Sequence, residues 1–598
     1  TCALPIFVSR IHHEKNEHEQ AVIAGEKAFK ISEKAEKEYG MLNQLSVLTS
    51  ILGISYMKLK NYDKAEEYLR KCLHYKLRSE EPQLVIGNYH EILGQCLLKN
   101  GKTQEALDHF MQAAELLSVN KKELSKLGSV YYEIGEVYLS LGQKEDALNY
   151  YTKAIENKAF EKNAVQQAYA ASKAGLLAAK IKQQTLAKDL SNKAIEIATQ
   201  CPADQTVLAV YSNIEQIYKE LGQPLEALNV FKGILSSLPE NSIAVNQILK
   251  SITYMLAGVG TKQQDINFLR DLISAHIKKY GENSPQLVFY YHHLANFDKN
   301  AMRYNEALDA YKKAIDSASK HSQNRVHVIP VLLNLSDLYY LMGKYELALD
   351  TTYEAIDLVE KYFKGNHPDI ILVYNHAGTM FRNMGGHKES VEQFEKALTA
   401  TIEKYGQDDL TTALAYIHMG QALSGAKRHA DAFDFIKVGL GTIERIKGNK
   451  TIEYGQGLII LSNTLSELGK HSDALKTVQE AVRLLEEVEG PSHPDLINAY
   501  INLATKYNKS RNIEGALLTY NKALEICLKY KGIEDVSTAR IHDEIGKLFL
   551  EESNLKLAEE NLKKAFEIKA SILGKDHPET QKTSKILNEL YGLSGKRS

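Results

Sequence analysis

Residues 329–370 read IPVLLNLSDLYYLMGKYELALDTTYEAIDLVEKYFKGNHPDI, and nearly every other part of the 598-residue chain is an approximate copy of this stretch. In its first half Leu332, Leu335, Ser336 and Tyr339 recur at i, i+3, i+4 and i+7, which places them on one face of a helix. In its second half Ala348, Thr352, Ala355 and Ile356 stand at i, i+4, i+7 and i+8, and Gly343 breaks the chain between the halves. Each helix has a single apolar stripe, so a hairpin of the two buries the facing sides and leaves an outer side that only another hairpin covers. One copy alone is not expected to fold.

The copies recur on a regular beat. A small residue, usually followed four and seven positions later by an apolar and a small one, opens the second helix at Ala65, Ala106, Ala147, Ala187, Ala227, Ala307, Ala348, Ser390, Ala432, Ala474, Ala516 and Ala558. The intervals are 40 to 42 residues, except for one of 80 that predicts a degenerate copy between Ala227 and Ala307. Twelve positions earlier stands another small residue, Gly53, Gly94, Gly135, Gly175, Ala295, Ser336, Gly378, Gly420, Ser462, Ala504 or Gly546, with Glu215 the exception. Small side chains at both places let the two helices of a hairpin cross closely, which is a packing requirement rather than chemistry.

The spacing resembles the tetratricopeptide signature, W-x2-L-G-x2-Y followed by A-x3-F. The best match is Tyr131-x-x-Ile134-Gly135-x-x-Tyr138, then Ala147, Tyr151 and Ala154. The chain has no Trp, and its period exceeds the usual 34 residues. Eight extra residues, if helical, lengthen each hairpin by ~12 Å of helix in total. The resemblance implies an all-α, right-handed α-solenoid of about thirteen helix-turn-helix hairpins.

Composition limits what such an array can do. Hydrophobic content of 44% and charged content of 25% fit a folded chain, and a net charge of −2 gives no bulk field toward nucleic acid or an anionic membrane. No run of eighteen apolar residues predicts a membrane-spanning helix. The five cysteines lack paired spacing, so buried free thiols in a reducing, cytoplasmic setting are expected. The chain opens at Thr1 with TCALPIFVSR, read as the end of a fragment rather than as a signal peptide.

Along the chain, residues 1–16 read as non-repeat, 17–240 as an N-terminal array, and 241–281 as the degenerate copy and a possible seam. Ala21, Gly25 and Ala28 already carry the second-helix spacing, so the first hairpin has lost its partner helix or borrows it from residues 7–16. Residues 282–578 form a second array with a 42-residue period, and 579–598 a capping helix with a basic tail, GKRS. The second array has its own loop: Gly281-Glu-Asn-Ser-Pro285-Gln, Gly365-Asn-His-Pro368-Asp, Gly490-Pro-Ser-His-Pro494-Asp and Gly574-Lys-Asp-His-Pro578-Glu. Glycine ends one helix, proline opens the next, and the following carboxylates suit its positive end.

No catalytic constellation emerges, and the chain is read as a non-enzyme without cofactor or metal. His12-His13-Glu-Lys-Asn-Glu-His18 has a gap of five where HExxH needs four. Gly258-Val-Gly260 is too short for a phosphate loop and is expected in a mid-hairpin turn, and Gly592-Leu-Ser-Gly595-Lys596 also falls short. His367, His493 and His577 read as helix-boundary residues, and the N-x-[ST] triplets at Asn334, Asn449 and Asn508 as chance.

What remains is the inner face. Two positions before the small residue of the first helix stand Asn213, His293, Asn334, His376, His418 and Asn502, whose amides and imidazoles can hydrogen-bond a peptide backbone. They can equally serve to solvate the helix ladder, and the sequence leaves both readings open. The 42-residue unit, the His-Pro-Asp/Glu loop, and strings such as Ile501-Asn-Leu-Ala504 and Leu333-Asn-Leu-Ser336 resemble the repeats of kinesin light chain and nephrocystin-3-type proteins over residues 282–580. Residues 20–240 resemble the units of the Pins/LGN adaptor group. The resemblance implies a scaffold that binds protein or peptide partners in its concave groove, with a motor or cytoskeletal link and with acidic cargo peptides as ligands. Two other roles remain open: a regulatory array of a larger signalling ATPase or enzyme, and a structural spacer that binds by its convex surface.

Overall fold

The computed structural model describes residues 3–39, 42–119, 124–157, 163–202, 204–240, 242–259, 262–530, 532–533 and 535–594. Among these residues it contains 29 α-helices and no strand, as the periodicity requires. The chain divides into two compact units, residues 1–261 and 262–598. The first unit runs from the helix Ala3–Glu14 to the helix Ala244–Val259, and the second from Lys262–Tyr280 to Pro578–Ser594. The division falls inside the 241–281 segment. Gly258 lies in the last turn of its helix, while residues 260–261 and the GKRS tail lie outside the described residues.

The hairpins pack through the two small positions. A Cβ added at Gly94 would lie 2.9 Å from the Phe110 ring, at Gly135 2.7 Å from Tyr151, at Gly378 2.7 Å from Phe394, and at Gly420 2.5 Å from Ile436. In each case the residue four places after the small residue of the second helix fills the space where the first helix has no side chain. Phe110 and Tyr151 are wholly buried there. At one copy serine replaces glycine and bonds instead: Ser336 Oγ donates to the Ala348 carbonyl at 3.0 Å and pairs with Thr352 Oγ1 at 2.7 Å. Ser9 Oγ makes the same bond to the Ala21 carbonyl at 2.7 Å. Residues 3–14, set outside the array by sequence, are thus the first helix of the first hairpin.

The turn inside each hairpin is equally regular. A residue with positive φ closes it, glycine in some copies and Lys60, Lys182, Met302, Lys427 or Arg511 in others. In the turn at Lys427 its own N–H bonds the Ser424 carbonyl at 3.0 Å and the Arg428 N–H bonds Leu423 at 2.9 Å, a C-cap that the turn at Gly343 repeats.

Loops between hairpins of the second unit also follow one plan. Helices stop at Gly406, Gly448 and Gly490, all with φ above 80°, and after the first two the next helix starts on a capping side chain. Asp409 accepts from the Thr411 N–H at 2.7 Å, and His367 Nδ1 from the Asp369 N–H at 3.3 Å. Pro368 and Pro578 open their helices, whereas at Pro285 and Pro494 a short turn intervenes and the helices begin at Leu287 and Leu496.

His577 does more than cap. Its Nδ1 accepts from the Glu579 N–H at 3.2 Å, which leaves the ring proton on Nε2, and Nε2 donates to the Leu341 carbonyl at 3.0 Å. Gly343 in the turn beyond Leu341 has φ +70°, and a Cβ on it would lie 2.8 Å from Pro578 Cδ. Within the second unit, the last helix therefore returns to an early hairpin.

Two variants test this packing. Gly378→Val puts a branched side chain where Phe394 sits and is expected to lower the stability of the second unit by about 1–3 kcal/mol in urea unfolding; no loss would show that the space is not needed. Lys427→Gly relieves a left-handed lysine and is expected to raise stability by ~0.5–1 kcal/mol in the same measurement.

Candidate functional site: the first-helix face

Successive first helices of the second unit, Val328–Leu341, Pro368–Asn383, Leu410–Gly425, Ile452–Glu467 and Leu496–Lys509, touch one another as well as their own partners. Their exposed edges form a continuous face. A small residue in each helix is buried toward the partner, and the polar residues on either side of it in sequence come to this face.

The six predicted residues all lie on first helices, and most of them bond sideways between repeats. Asn213 Nδ2 donates to Ser172 Oγ at 2.9 Å. Asn334 Nδ2 meets His292 Nε2 at 2.9 Å and the Pro330 carbonyl at 3.0 Å. His376 Nε2 lies 3.0 Å from Asp337 Oδ1. Asn502 Oδ1 accepts from Asn463 Nδ2 at 3.2 Å, while its own Nδ2 donates to the Asn498 carbonyl at 2.8 Å. His293 is buried, at 7% exposure, and presents little surface to a ligand. His418 keeps an accessible ring, although the groove walls, and after them the Arg382 charge, hold its pKa below the ordinary imidazole value.

The sequence reading missed the partners of these residues. Asp337, Gln421 and Asn463 stand one place after the small residue, and Lys299 and Arg382 four places after it. Lys299 Nζ donates to Asn334 Oδ1 at 3.1 Å, Arg382 Nη1 to Gln421 Oε1 at 2.6 Å, and Lys506 Nζ to Asn463 Oδ1 at 2.9 Å. A signal was present: the residue after the small one is polar in consecutive copies, from Asn296 through Asp337, Thr379, Gln421 and Asn463 to Thr505.

The electrostatics of this face differ between the units. In the second unit its cations are partly desolvated: burial lowers the pKa of Lys299 and Arg382, and burial with the nearby Lys509 charge brings Lys506 down to about 8. Burial also takes His292 down to about 4. In the first unit the crowded groups are carboxylates. Burial, and then the Glu136 and Glu91 charges, push Glu133 up to about 7, while Lys173 Nζ neutralises Glu136 at 2.6 Å.

Two serine hydroxyls meet imidazoles, Ser55 Oγ at 2.9 Å from His13 Nδ1 and Ser284 Oγ at 2.8 Å from His276 Nε2. Cys72, Cys96 and Cys527 are buried. Among the described residues no helix is long and apolar enough to cross a membrane.

Several known proteins share parts of this chain. The clustered mitochondria protein homolog of Emericella nidulans is 24% identical over 202 residues, which are 34% of this chain and 16% of that protein. The chain thus spans well under a quarter of that relative's length. A crystal structure of nearly identical TPR-like repeats from a putative kinesin light chain of Podosopora anserina has 13% identity and a TM-score of 0.30, covering 35% of this chain and 98% of that one. BtubC from P. vanneervenii has 16% identity and a TM-score of 0.31, covering 38% and 90%. The tetratricopeptide repeat model matches residues 44–118, 85–159, 327–403, 369–441 and 457–529, together just over half of the chain. With its paired helices, its two small positions and its 40- to 42-residue beat, the chain belongs to the tetratricopeptide repeat family.

Proposed function

We propose that this chain is a non-catalytic interaction scaffold that takes peptide segments along its first-helix face. The observation that carries the reading is the row of amides, imidazoles and cations on consecutive first helices of the second unit, with Asn334, His376, His418 and Asn502 among them. Their side-chain bonds hold them in place before a ligand arrives, which lowers the ordering cost of binding. Each side-chain amide still has donor or acceptor capacity left for a peptide backbone.

The partly exposed cations Lys299 and Arg382 select the ligand, and Lys506, itself 6% exposed, adds its charge through its field rather than by contact. A segment bearing carboxylates restores to them the charge stabilisation that burial removed. A cytoplasmic setting, with partners that attach organelles or cargo to motor or cytoskeletal machinery, completes the proposal. The buried thiols and the segment shared with clustered mitochondria protein homologs support it.

Two measurements test the reading. Asn334→Ala, His376→Ala and His418→Ala combined are expected to weaken binding of acidic peptides at least tenfold, about 1.4 kcal/mol, in fluorescence polarisation; unchanged affinity refutes the face assignment. Lys506 is a cation below pH 8 and neutral above it, so affinity for the same peptides is expected to fall between pH 7 and pH 9. Lys506→Met should bind weakly at both pH values and lose that dependence.

A further inference from the structure

The loop between the helices His471–Glu489 and Leu496–Lys509 differs from its copies at one place. Four residues before the loop histidine, the equivalent copies carry Phe363, whose ring stacks on His367 at 4.0 Å, and Leu573. Here the position holds Glu489. Its side chain is 7% exposed, and its Oε2 is buried without a hydrogen-bond partner among the described residues. A carboxylate in an apolar position needs compensation, and as the last residue of its helix Glu489 also sits at the negative end of the dipole.

His493 Nδ1 lies 3.4 Å from Glu489 Oε2 and 3.9 Å from Asp495 Oδ2. That nitrogen accepts from the Asp495 N–H at a long 3.4 Å, where His367 and His577 accept at 3.3 and 3.2 Å in their copies, so it carries a lone pair that an ion would take in place of that N–H. Burial, followed by the Asp495 charge, pushes the Glu489 carboxyl above its ordinary value. Two carboxylates and an imidazole thus bring three ligand atoms within 4.8 Å of one another. Tetrahedral zinc with bonds of ~2.0–2.1 Å has ligand-to-ligand edges of about 3.3 Å, close to the separations found.

We propose that Glu489, His493 and Asp495 form a site for a divalent transition ion of the zinc type. One nitrogen and two oxygens suit such an ion, and three protein ligands leave a fourth position for water. The ion satisfies the buried oxygen, favours the helix C-terminus, and ties the end of one hairpin to the start of the next.

The test uses the full chain titrated with Zn2+ by calorimetry, and with Co2+ by visible absorption. Wild type is expected to bind one more equivalent of Zn2+ than Glu489→Leu, which copies the residue at 573, and than Glu489→Gln, which keeps the shape. Co2+ bound to wild type should show visible d–d bands that both variants lack, and thermal melts without metal confirm that the variants fold. Equal stoichiometry in wild type and the folded variants overturns the site. So does a wild-type loop that takes up a proton on Glu489 while binding no Zn2+.

Discussion

Everything in this fold depends on how one side chain is seated. In most hairpins a Phe, Tyr, Leu or Ile of the second helix enters the gap left where the first helix has glycine or a small residue. A full side chain there would stand within about 3 Å of the incoming ring, so the residue must stay small. Burying such a residue contributes roughly 1.5–3 kcal/mol, and the same contact fixes how closely and in what register the helices cross. Repeated through the chain, it makes every hairpin nearly the same object. Nearly identical objects with one uncovered apolar side stack in sequence order.

The connections conserve that register at a cost. A left-handed residue closes the hairpin turns even where it is Lys60, Met302 or Arg511, at about 1–2 kcal/mol for a residue with a Cβ. The C-cap hydrogen bonds and the packing on either side offset it. After Gly406 and Gly448 an Asp and a Thr side chain cap the next helix, and His367 caps the helix that Pro368 opens, each satisfying an N–H of a first turn.

On the first-helix face the same regularity sets polar side chains in rows. Residues that recur in register stand side by side on neighbouring helices, so an Asn or His in one copy meets a polar partner about 40 residues away. This cross-repeat bonding makes the face rigid and desolvates its cations. In the scaffold role proposed above, both effects would favour an extended ligand with carboxylates over a diffuse electrostatic attraction, which a net charge of −2 would not provide.

Much of this was legible in the residues. Small positions twelve apart, apolar positions four further on, and loop glycines before prolines are local features, and local sterics decide them. The six inner-face residues were also placed on first helices by register alone, although their lateral partners were not foreseen. Pairing between copies depends on the sideways offset of neighbouring helices, which spacing within one copy does not contain. Ser9 shows the same limit, since a lone serine carries no repeat signature until its bond to Ala21 is seen.

The sequence by itself determined the helices, the hairpins and their order, because each rests on contacts between residues at most one or two repeats apart. Only the tertiary structure decided that His577 reaches the Leu341 carbonyl, 236 residues away, and that Gly343 must leave room for Pro578. That meeting is set by the small rotation each hairpin adds to the last. Summed over several repeats, a rotation too slight to be read from any one copy decides which distant surfaces touch.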